Sequence, residues 1–412
     1  MSVREPSHPI TLEEWRMWYS VKPHTFADES SAPVEDDGSG RLELDEGEVK
    51  RRIFVRGVAP DARGEVWPFL FRVYSWASTH KEREEIRRRN AELYERRKTS
   101  WQTNGKLKET DVWAEESHRI NIDCRRTDRT HPLFASTEAA AADAAHPPSN
   151  AHVRSMEEIL LTYVFGDVER GEAGSIATIA STEKSYVQGM SDLLSPLYVI
   201  SDADASMAYA CFVTMMSRMR GNFARDQQGM KANLSKLQEL IVVMDSALYR
   251  HLDKTNSLNL FFCFRWLLCS FKREFSFDQT MQLWEALWTD HLGTHFHLFV
   301  ALAIIEQHRD ILIRYLQEFD EVLKYVNELA GTLDVQQVLA DAEVLYYTFR
   351  KVLESNFRRR AEAQSRREAA SEQTLSLRKR TSSSALRLKE QREQADDESE
   401  AAVDGKLWQL LD

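Results

Sequence analysis

Apolar side chains recur at helical spacing along most of the chain. One such segment opens with Ser155 and Glu158, the pattern of a capping box. Its apolar face consists of Met156, Ile159, Leu160, Tyr163 and Val164. The other helical segments are about 206–220, ended by Gly221; 234–244; 281–288; 319–329, ended by Gly331; and a last helix, capped by Asp334 with Gln337, that runs through Val352. No segment alternates convincingly with period 2 and no internal repeat is evident, so the pattern predicts an all-α protein.

The stretch from Phe261 to Phe271 is apolar on almost every side, with Arg265 as an interruption. A helix that is apolar all round is normally buried. We therefore expect this stretch to form a buried central helix.

Three stretches lack a helical pattern and set the expected domain limits. Residues 24–40 are acidic and contain Gly, Pro and Ser, residues 135–152 are rich in Ala and end in Pro-Pro, and the chain loses its aromatic residues after about 356. We predict an N-terminal segment 1–44, partly disordered, and one large helical domain over 45–354 with atypical loops at 135–152 and 166–184. The remainder, 355–412, is predicted to be a charged tail, helical or disordered, without which the domain should fold.

Composition narrows the functional classes. The net charge is −11, whereas a dedicated nucleic-acid binder needs a clustered basic surface. The chain has 15 Gly and 10 Pro in 412 residues, which disfavours a β-sandwich, and its four cysteines include no CxxC pair. No apolar run approaches the roughly 18 residues of a membrane span. We expect a soluble protein of a reducing compartment that binds no nucleic acid.

Several chemistries find no support in the motifs. There is no GxxxxGK[ST] and no GxGxxG, so we predict no nucleotide cofactor bound by this chain itself. His291, His295 and His297 resemble a metal cluster, but Gly293 interrupts the helix that would align them, and core or helix-start histidines are the better interpretation. The arginines between Arg87 and Arg97 alternate with glutamates, which is typical of a solvated helix face.

Two short segments are harder to explain by packing. One is Ile120-x-x-Asp123-x-x-Arg126, and the other is Tyr186-x-Gln188-Gly189. Each alone would be a local ion pair or a loop amide. In this order, however, they resemble the signature pair of the TBC-domain family, the GTPase-activating proteins of Rab/Ypt GTPases.

Further segments resemble that family in the same order along the chain. The likeness spans roughly residues 45–354, and several segments resemble its vacuolar/late-endosomal branch. The segments are Ile53-Phe54-x-Arg56-Gly57-Val58, Arg63-x-x-x-Trp67-Pro68-x-Leu70, Thr127 to Phe134, Asn222 to Gln227, Lys272-Arg273-Glu274-Phe275, Leu283 to Asp290 and Phe319 to Tyr325.

The resemblance implies an activator that supplies catalytic residues in trans to a Rab/Ypt GTPase carrying GTP and Mg²⁺. On that basis Arg126 is the arginine finger and Gln188 is the glutamine finger. Asp123 would hold the Arg126 guanidinium, and Tyr186 would pack or hydrogen-bond behind it. Gly189 would let the backbone approach the GTPase closely, and Ile120 is the first residue of the motif. It further implies a cytoplasmic protein of vesicle trafficking, peripheral on endosomal or vacuolar membranes.

Two alternatives stay open at this point. Arg125 competes with Arg126, although the spacing from Ile120 and Asp123 favours Arg126. The chain also departs from the family before its second motif, where Ser185 replaces the usual Gly and the atypical stretch 166–184 precedes it. A catalytically impaired scaffold that binds a Rab is therefore the alternative function.

Overall fold

The described part of the chain is built almost entirely from α-helices, as the pattern predicts. The computed structural model describes residues 8–19, 40–135, 150–167, 185–377 and 405–411, with side chains described as far as residue 366 of the last long helix. Outside the helices these residues contain one isolated parallel bridge, between Ile10 and Val58. None of the described helices combines the length and apolar composition needed to cross a membrane.

The helices are numbered here in chain order. The N-terminal half contains α1 Leu12–Met17, α2 Glu46–Arg56, α3 Arg63–Leu70, α4 His80–Gln102, α5 Gly105–Lys108, α6 Asp111–Arg126 and α7 Ala151–Phe165. The C-terminal half contains α8 Met190–Ile200, α9 Ala205–Phe223, α10 Gln228–Met244, α11 Ser246–Lys254, α12 Phe264–Leu268, α13 Phe277–Trp288, α14 Phe296–Gln307, α15 Arg309–Tyr315, α16 Phe319–Glu328 and α17 Val335–Leu377.

The buried centre of the C-terminal half is α14, not the stretch 261–271 that the sequence favours. Every residue from Leu298 to Ile305 is at most 2% exposed, and α14 packs along α17. The stretch 261–271 instead divides into a 3-10 turn, Phe261–Cys263, and the five residues of α12. Leu260, Ser270 and Phe271 adopt positive φ, which ends the helix on both sides and leaves Phe261 56% exposed.

Two predicted helix limits are wrong for identifiable reasons. Helix α7 begins four residues before Ser155, because Asn150 caps it by accepting the N–H of His152 at 2.8 Å. Helix α9 continues through Gly221 to Phe223. A Cβ on Gly221 would lie 3.3 Å from the Cα of Gly229 on α10, so this glycine allows two helices to approach and does not end one.

The pattern is confirmed for the last helix, and the end of the chain corrects the expected tail. Asp334 Oδ1 accepts the N–H of Gln337 at 2.9 Å, as a cap does, and α17 continues through Leu377. Residues 405–411 form a helical turn in which Leu407 and Leu410 are 6% and 0% exposed within the core. These two leucines therefore belong to the core, although they lie in the stretch 355–412 that the sequence predicts to be a charged tail.

Candidate functional site

The first motif occupies the last two turns of α6. Thr110 caps this helix by accepting the N–H of Trp113 at 3.2 Å, and Thr127 ends it by donating to the carbonyl of Asp123 at 2.8 Å. Helical spacing puts Ile120 and Asp123 on the inner face, where they are 0% and 6% exposed. Arg126 follows at the helix C-terminus, where a positive charge is favoured by the helix dipole.

The Asp123 carboxylate joins the two motifs. Its Oδ1 accepts a hydrogen bond from Nη2 of Arg126, and its Oδ2 accepts one from the Tyr186 hydroxyl at 2.7 Å. Burial raises the pKa of Tyr186 well above its usual value, so the hydroxyl stays protonated as a donor. The Arg126 side chain is 50% exposed, so its guanidinium is held through one terminal nitrogen while much of the side chain remains open to solvent.

The second motif is held by its backbone. The N–H of Tyr186 donates to Glu116 Oε2 at 3.1 Å, and the hydroxyl oxygens of Thr127 and Ser191 lie 2.9 Å apart, within hydrogen-bond distance. Gly189, the residue immediately before α8, has φ +106°, and a Cβ there would lie 3.1 Å from the Cys269 sulfur. This backbone conformation and close contact require glycine before any partner is considered. Between these anchors the side chain of Gln188 is exposed.

Glu116 is the unexpected member of this arrangement. It lies at the middle of α6, is 8% exposed, and burial raises the pKa of its carboxyl, with Arg119 and the Tyr186 N–H acting against that rise. The Arg119 guanidinium also lies 6.0 Å from the ring centre of Tyr186. A glutamate in a polar stretch of sequence gives no sign that it accepts a backbone N–H 70 residues away.

Arg125 lies in different surroundings from Arg126. The pKa of Glu157 on α7 is raised by burial and held down chiefly by the positive charge of Arg125. The carbonyl of Arg125 accepts from Nε of Arg129 at 2.7 Å. Arg126 therefore shares the Asp123–Tyr186 arrangement with the second motif, whereas Arg125 lies toward α7.

Two further ion pairs, which the sequence does not predict, adjoin the motifs. Lys272 Nζ lies 2.7 Å from Asp128 Oδ1, and Arg273 Nη2 lies 2.7 Å from Asp192 Oδ2. The sequence signal was the Lys272-Arg273 pair itself, which the resemblance includes. Its partners are 144 and 81 residues away, so spacing could not identify them.

The remaining candidates are placed as follows. His295 precedes α14 with its Nε2 2.6 Å from Lys236 Nζ, and His297 lies in the first turn, which confirms their interpretation as helix-start residues. Among the residues that the structure describes, no three His, Cys, Asp or Glu side chains are grouped so that they could hold a metal ion. Most of the atypical stretch, 168–184, lies outside the described residues, as do 136–149 of the other predicted loop.

Comparison with known proteins gives consistent matches. The model of the Rab-GTPase-TBC domain family matches residues 60–313. The chain is 42% identical over 330 residues to the GTPase-activating protein GYP7 of Yarrowia lipolytica, which covers 77% of this chain and 43% of that protein. It is 37% identical over 346 residues to TBC1 domain family member 17 of Homo sapiens, covering 83% of this chain and 46% of that protein.

A solved structure agrees in fold. The Ypt/Rab-GAP domain of Gyp1p superposes with a TM-score of 0.58 at 18% identity, over 76% of this chain and 95% of that domain. The chain spans less than half the length of the curated relatives named above. The family model nevertheless covers more than half of this chain, and both relatives exceed 30% identity. The chain therefore belongs to the Rab-GTPase-TBC domain family.

Proposed function

We propose that this protein accelerates GTP hydrolysis by a Rab/Ypt small GTPase, with Arg126 and Gln188 as its two catalytic side chains. The observation that carries the proposal is the shared Asp123–Tyr186 hydrogen-bond arrangement. It ties the end of α6, which carries a half-exposed guanidinium, to the segment that carries the exposed amide of Gln188. The matched relatives named as GTPase-activating proteins support the same function.

Arg126 can supply a positive charge that the GTPase lacks when it hydrolyses GTP alone. Negative charge builds on the γ-phosphoryl oxygens during hydrolysis, and an arginine supplied in trans is worth about 10³–10⁵ in rate. The guanidinium carries five N–H donors in a planar fork. The hydrogen bond to Asp123 involves Nη2, so the carboxylate holds one end of the group and the other nitrogen atoms can reach a phosphate.

Gln188 supplies the second group. An amide both donates and accepts, so it can orient the attacking water and leave its deprotonation to the phosphate. Its neighbours Tyr186 and Gly189 are buried, which limits the freedom of the backbone that carries it. Such preorganisation matters because a displacement of about 1 Å can cost 10²-fold in rate.

The nucleotide and its Mg²⁺ belong to the GTPase, and this chain contributes no cofactor of its own to the proposal. The GTPase is proposed to be a vacuolar or late-endosomal Rab, on the strength of the branch resemblance. The site of action is then the cytoplasmic side of endosomal or vacuolar membranes, in vesicle trafficking. The domain over 45–354 is proposed to carry the catalytic side chains.

A panel of GTP-loaded Rab GTPases tests the proposal in single-turnover hydrolysis. The chain should accelerate hydrolysis by at least one member, and Arg126→Ala should not. A Rab that binds this chain in its GTP form without faster hydrolysis would instead establish the scaffold alternative. No binding and no acceleration across the panel would contradict both functions.

A further inference from the structure

Residues 269–276 connect α12 to α13 and contact the chain next to both motifs. Ser270 and Phe271 adopt φ of +48° and +60°, which reverses the chain sharply after α12. The reversal is pinned by the Trp284 indole N–H, which donates to the Ser270 carbonyl at 2.8 Å. Phe271 is 1% exposed. The connector is therefore a fixed part of the core that presents two consecutive cations, Lys272 and Arg273.

Lys272 ties down the chain immediately after Arg126. Its ammonium group lies 2.7 Å from Oδ1 of Asp128, whose Oδ2 accepts from the Ser195 hydroxyl. Asp128 adopts φ +46°, so the turn after α6 takes an uncommon conformation that these contacts stabilise. The side chains of Lys272 and Asp128 are 6% and 16% exposed, so solvent screens the pair little.

Arg273 ties down the chain immediately after Gln188. Its Nε and Nη2 both donate to Oδ2 of Asp192, at 3.2 and 2.7 Å. Asp192 lies in the first turn of α8, four residues beyond Gln188, where a carboxylate is favoured by the helix dipole. The sulfur of Cys269, at the start of the same connector, faces Gly189.

The connector is also anchored on its far side. Glu274 is 1% exposed and accepts two hydrogen bonds from Arg265, from Nε at 2.7 Å and Nη2 at 2.8 Å. Its carbonyl accepts the N–H of Gly331 at 2.8 Å. Three consecutive charged residues thus bind three separate parts of the fold, two of them adjoining the motifs.

We propose that Lys272 and Arg273 are positioning residues that set the separation of Arg126 and Gln188. Each cation ties one motif to the same short connector, so the positions of the two catalytic side chains are fixed relative to the same rigid segment. Neither cation contacts the reacting groups. The inference rests on the proposed function, and it predicts that loss of Arg273 releases Gln188 whereas loss of Lys272 releases Arg126.

The first test compares Arg273→Gln with Arg309→Gln in steady-state hydrolysis by one responsive Rab. Arg309 pairs with Asp245 away from the motifs, and the pair matches Arg273–Asp192 closely in exposure, at 35% and 11% against 37% and 14%. Arg273→Gln should lower kcat about 10–100-fold with KM changed less than about twofold. Arg273→Lys should recover part of the loss, and Arg309→Gln should leave both constants unchanged. Equal effects of the two glutamine variants would overturn the proposal.

A double-mutant cycle separates the two ties. In a protein that already carries Gln188→Ala, Arg273→Gln should lower kcat by less than a further factor of about two, because the side chain that Arg273 positions is gone. Lys272→Met should keep its full effect in that same background, since it acts through Arg126. If Lys272→Met does not fold, the double variant Lys272→Met, Asp128→Asn takes its place in the test, because it removes both charges of the pair. Independent, multiplicative losses for Arg273 and Gln188 would overturn the proposal.

Hydrogen exchange of the free chain gives a readout that needs no GTPase. Arg273→Gln and Asp192→Asn should both speed exchange in residues 186–192, and Arg309→Gln should not. Unchanged exchange in this segment would contradict the positioning role even if a Rab responds. Faster exchange together with a wild-type chain that activates no Rab would instead defeat the proposed function and leave the structural tie in place.

Discussion

At the scale of single residues, the difference between Arg125 and Arg126 is one of surroundings. Both are exposed arginines in the last turn of α6, and charge alone does not separate them. Arg126 shares the buried carboxylate of Asp123 with Tyr186, and Arg125 lies toward Glu157. Only the first of these positions is coupled to the segment that carries Gln188.

Arg126→Ala should reduce activation by about 10³–10⁵-fold, since it removes the charge that meets the γ-phosphoryl group. Arg126→Lys should fail nearly as badly, because a point charge cannot reproduce the planar fork. Arg125→Ala should retain most activity. Single-turnover hydrolysis on a responsive Rab measures all three, with thermal unfolding as the check that each variant is folded. Inactive Arg125→Ala beside active Arg126→Ala would reverse the assignment.

At the scale of elements, α3 is joined to α13 by a buried charge pair. Glu285 is 0% exposed, and its carboxylate accepts from Arg63 Nε at 2.7 Å and from the N–H of Val58 at 2.9 Å. The Trp67 indole N–H lies 3.4 Å from the same carboxylate. The Arg63-x-x-x-Trp67 pattern of the sequence is thus one half of a contact between elements.

Removing either charge should destabilise the protein strongly. Arg63→Ala or Glu285→Ala should lower the free energy of unfolding by about 3–5 kcal/mol, because each leaves a buried charge without its buried partner; Arg63 would keep only Asp278, which is 84% exposed and 3.9 Å away. The matched control is Glu65→Ala, whose partner Arg16 is 64% exposed, so the loss should be about 1 kcal/mol or less. Urea unfolding measures the difference. Losses of similar size in all three variants would contradict the burial argument.

The first turn of α14 should make stability depend on pH. Burial lowers the pKa of His297 to about 4, and the positive charges of His295, Lys236 and Arg218 act in the same direction, against a hydrogen bond with the Thr294 carbonyl. Unfolding returns the ring to a pKa near 6.5, so the unfolded chain binds the extra proton between these values. The free energy of unfolding should therefore fall as pH drops from about 6.5 toward 4.

Urea unfolding at pH 7 and pH 5 checks this dependence. His297→Asn should make the loss of stability between the two pH values smaller, because the ring that titrates is gone. The remaining dependence belongs in part to His131, His291 and His308, whose pKa values burial also lowers. An equal loss in the variant and the wild type would assign the whole effect to other groups.

At the scale of the whole molecule, residues 405–411 return to the core after a long interval of charged sequence. Leu410 is fully buried, Trp408 packs against the same cluster, and the Tyr346 hydroxyl lies 3.4 Å from the Leu411 carbonyl. Tyr346 belongs to α17, which packs along the buried α14. The segment thus contacts α17, the helix that packs along α14.

Leu410→Ala should lower the free energy of unfolding by about 2–5 kcal/mol, the range for removing a buried leucine side chain. Deletion of residues 405–412 should lower it at least as much. Gln409→Ala changes an exposed neighbour and should have little effect. Thermal and urea unfolding of the full chain and these variants provide the measurement. A deletion variant as stable as the full chain would show that the segment contributes nothing to the fold.

The sequence by itself determined the all-α class, most of the helices, and which residues make up the two signature motifs. These follow from signals that are local in the chain: the 3.6-residue period of apolar positions, and the spacing of Ile120, Asp123 and Arg126. The apolar pattern wrongly predicts one buried helix over 261–271, because it shows which residues are apolar but not where φ becomes positive.

The tertiary structure alone decided which charges are buried and what they bind. Glu285, Glu116 and Lys272 look in the sequence like solvated surface residues, yet they are at most 8% exposed. Their partners lie tens to hundreds of residues away, at 222 for Arg63 and Glu285 and 144 for Lys272 and Asp128. A buried charge is stable only where folding brings an opposite charge or donor to it, and that meeting is a property of the packed chain.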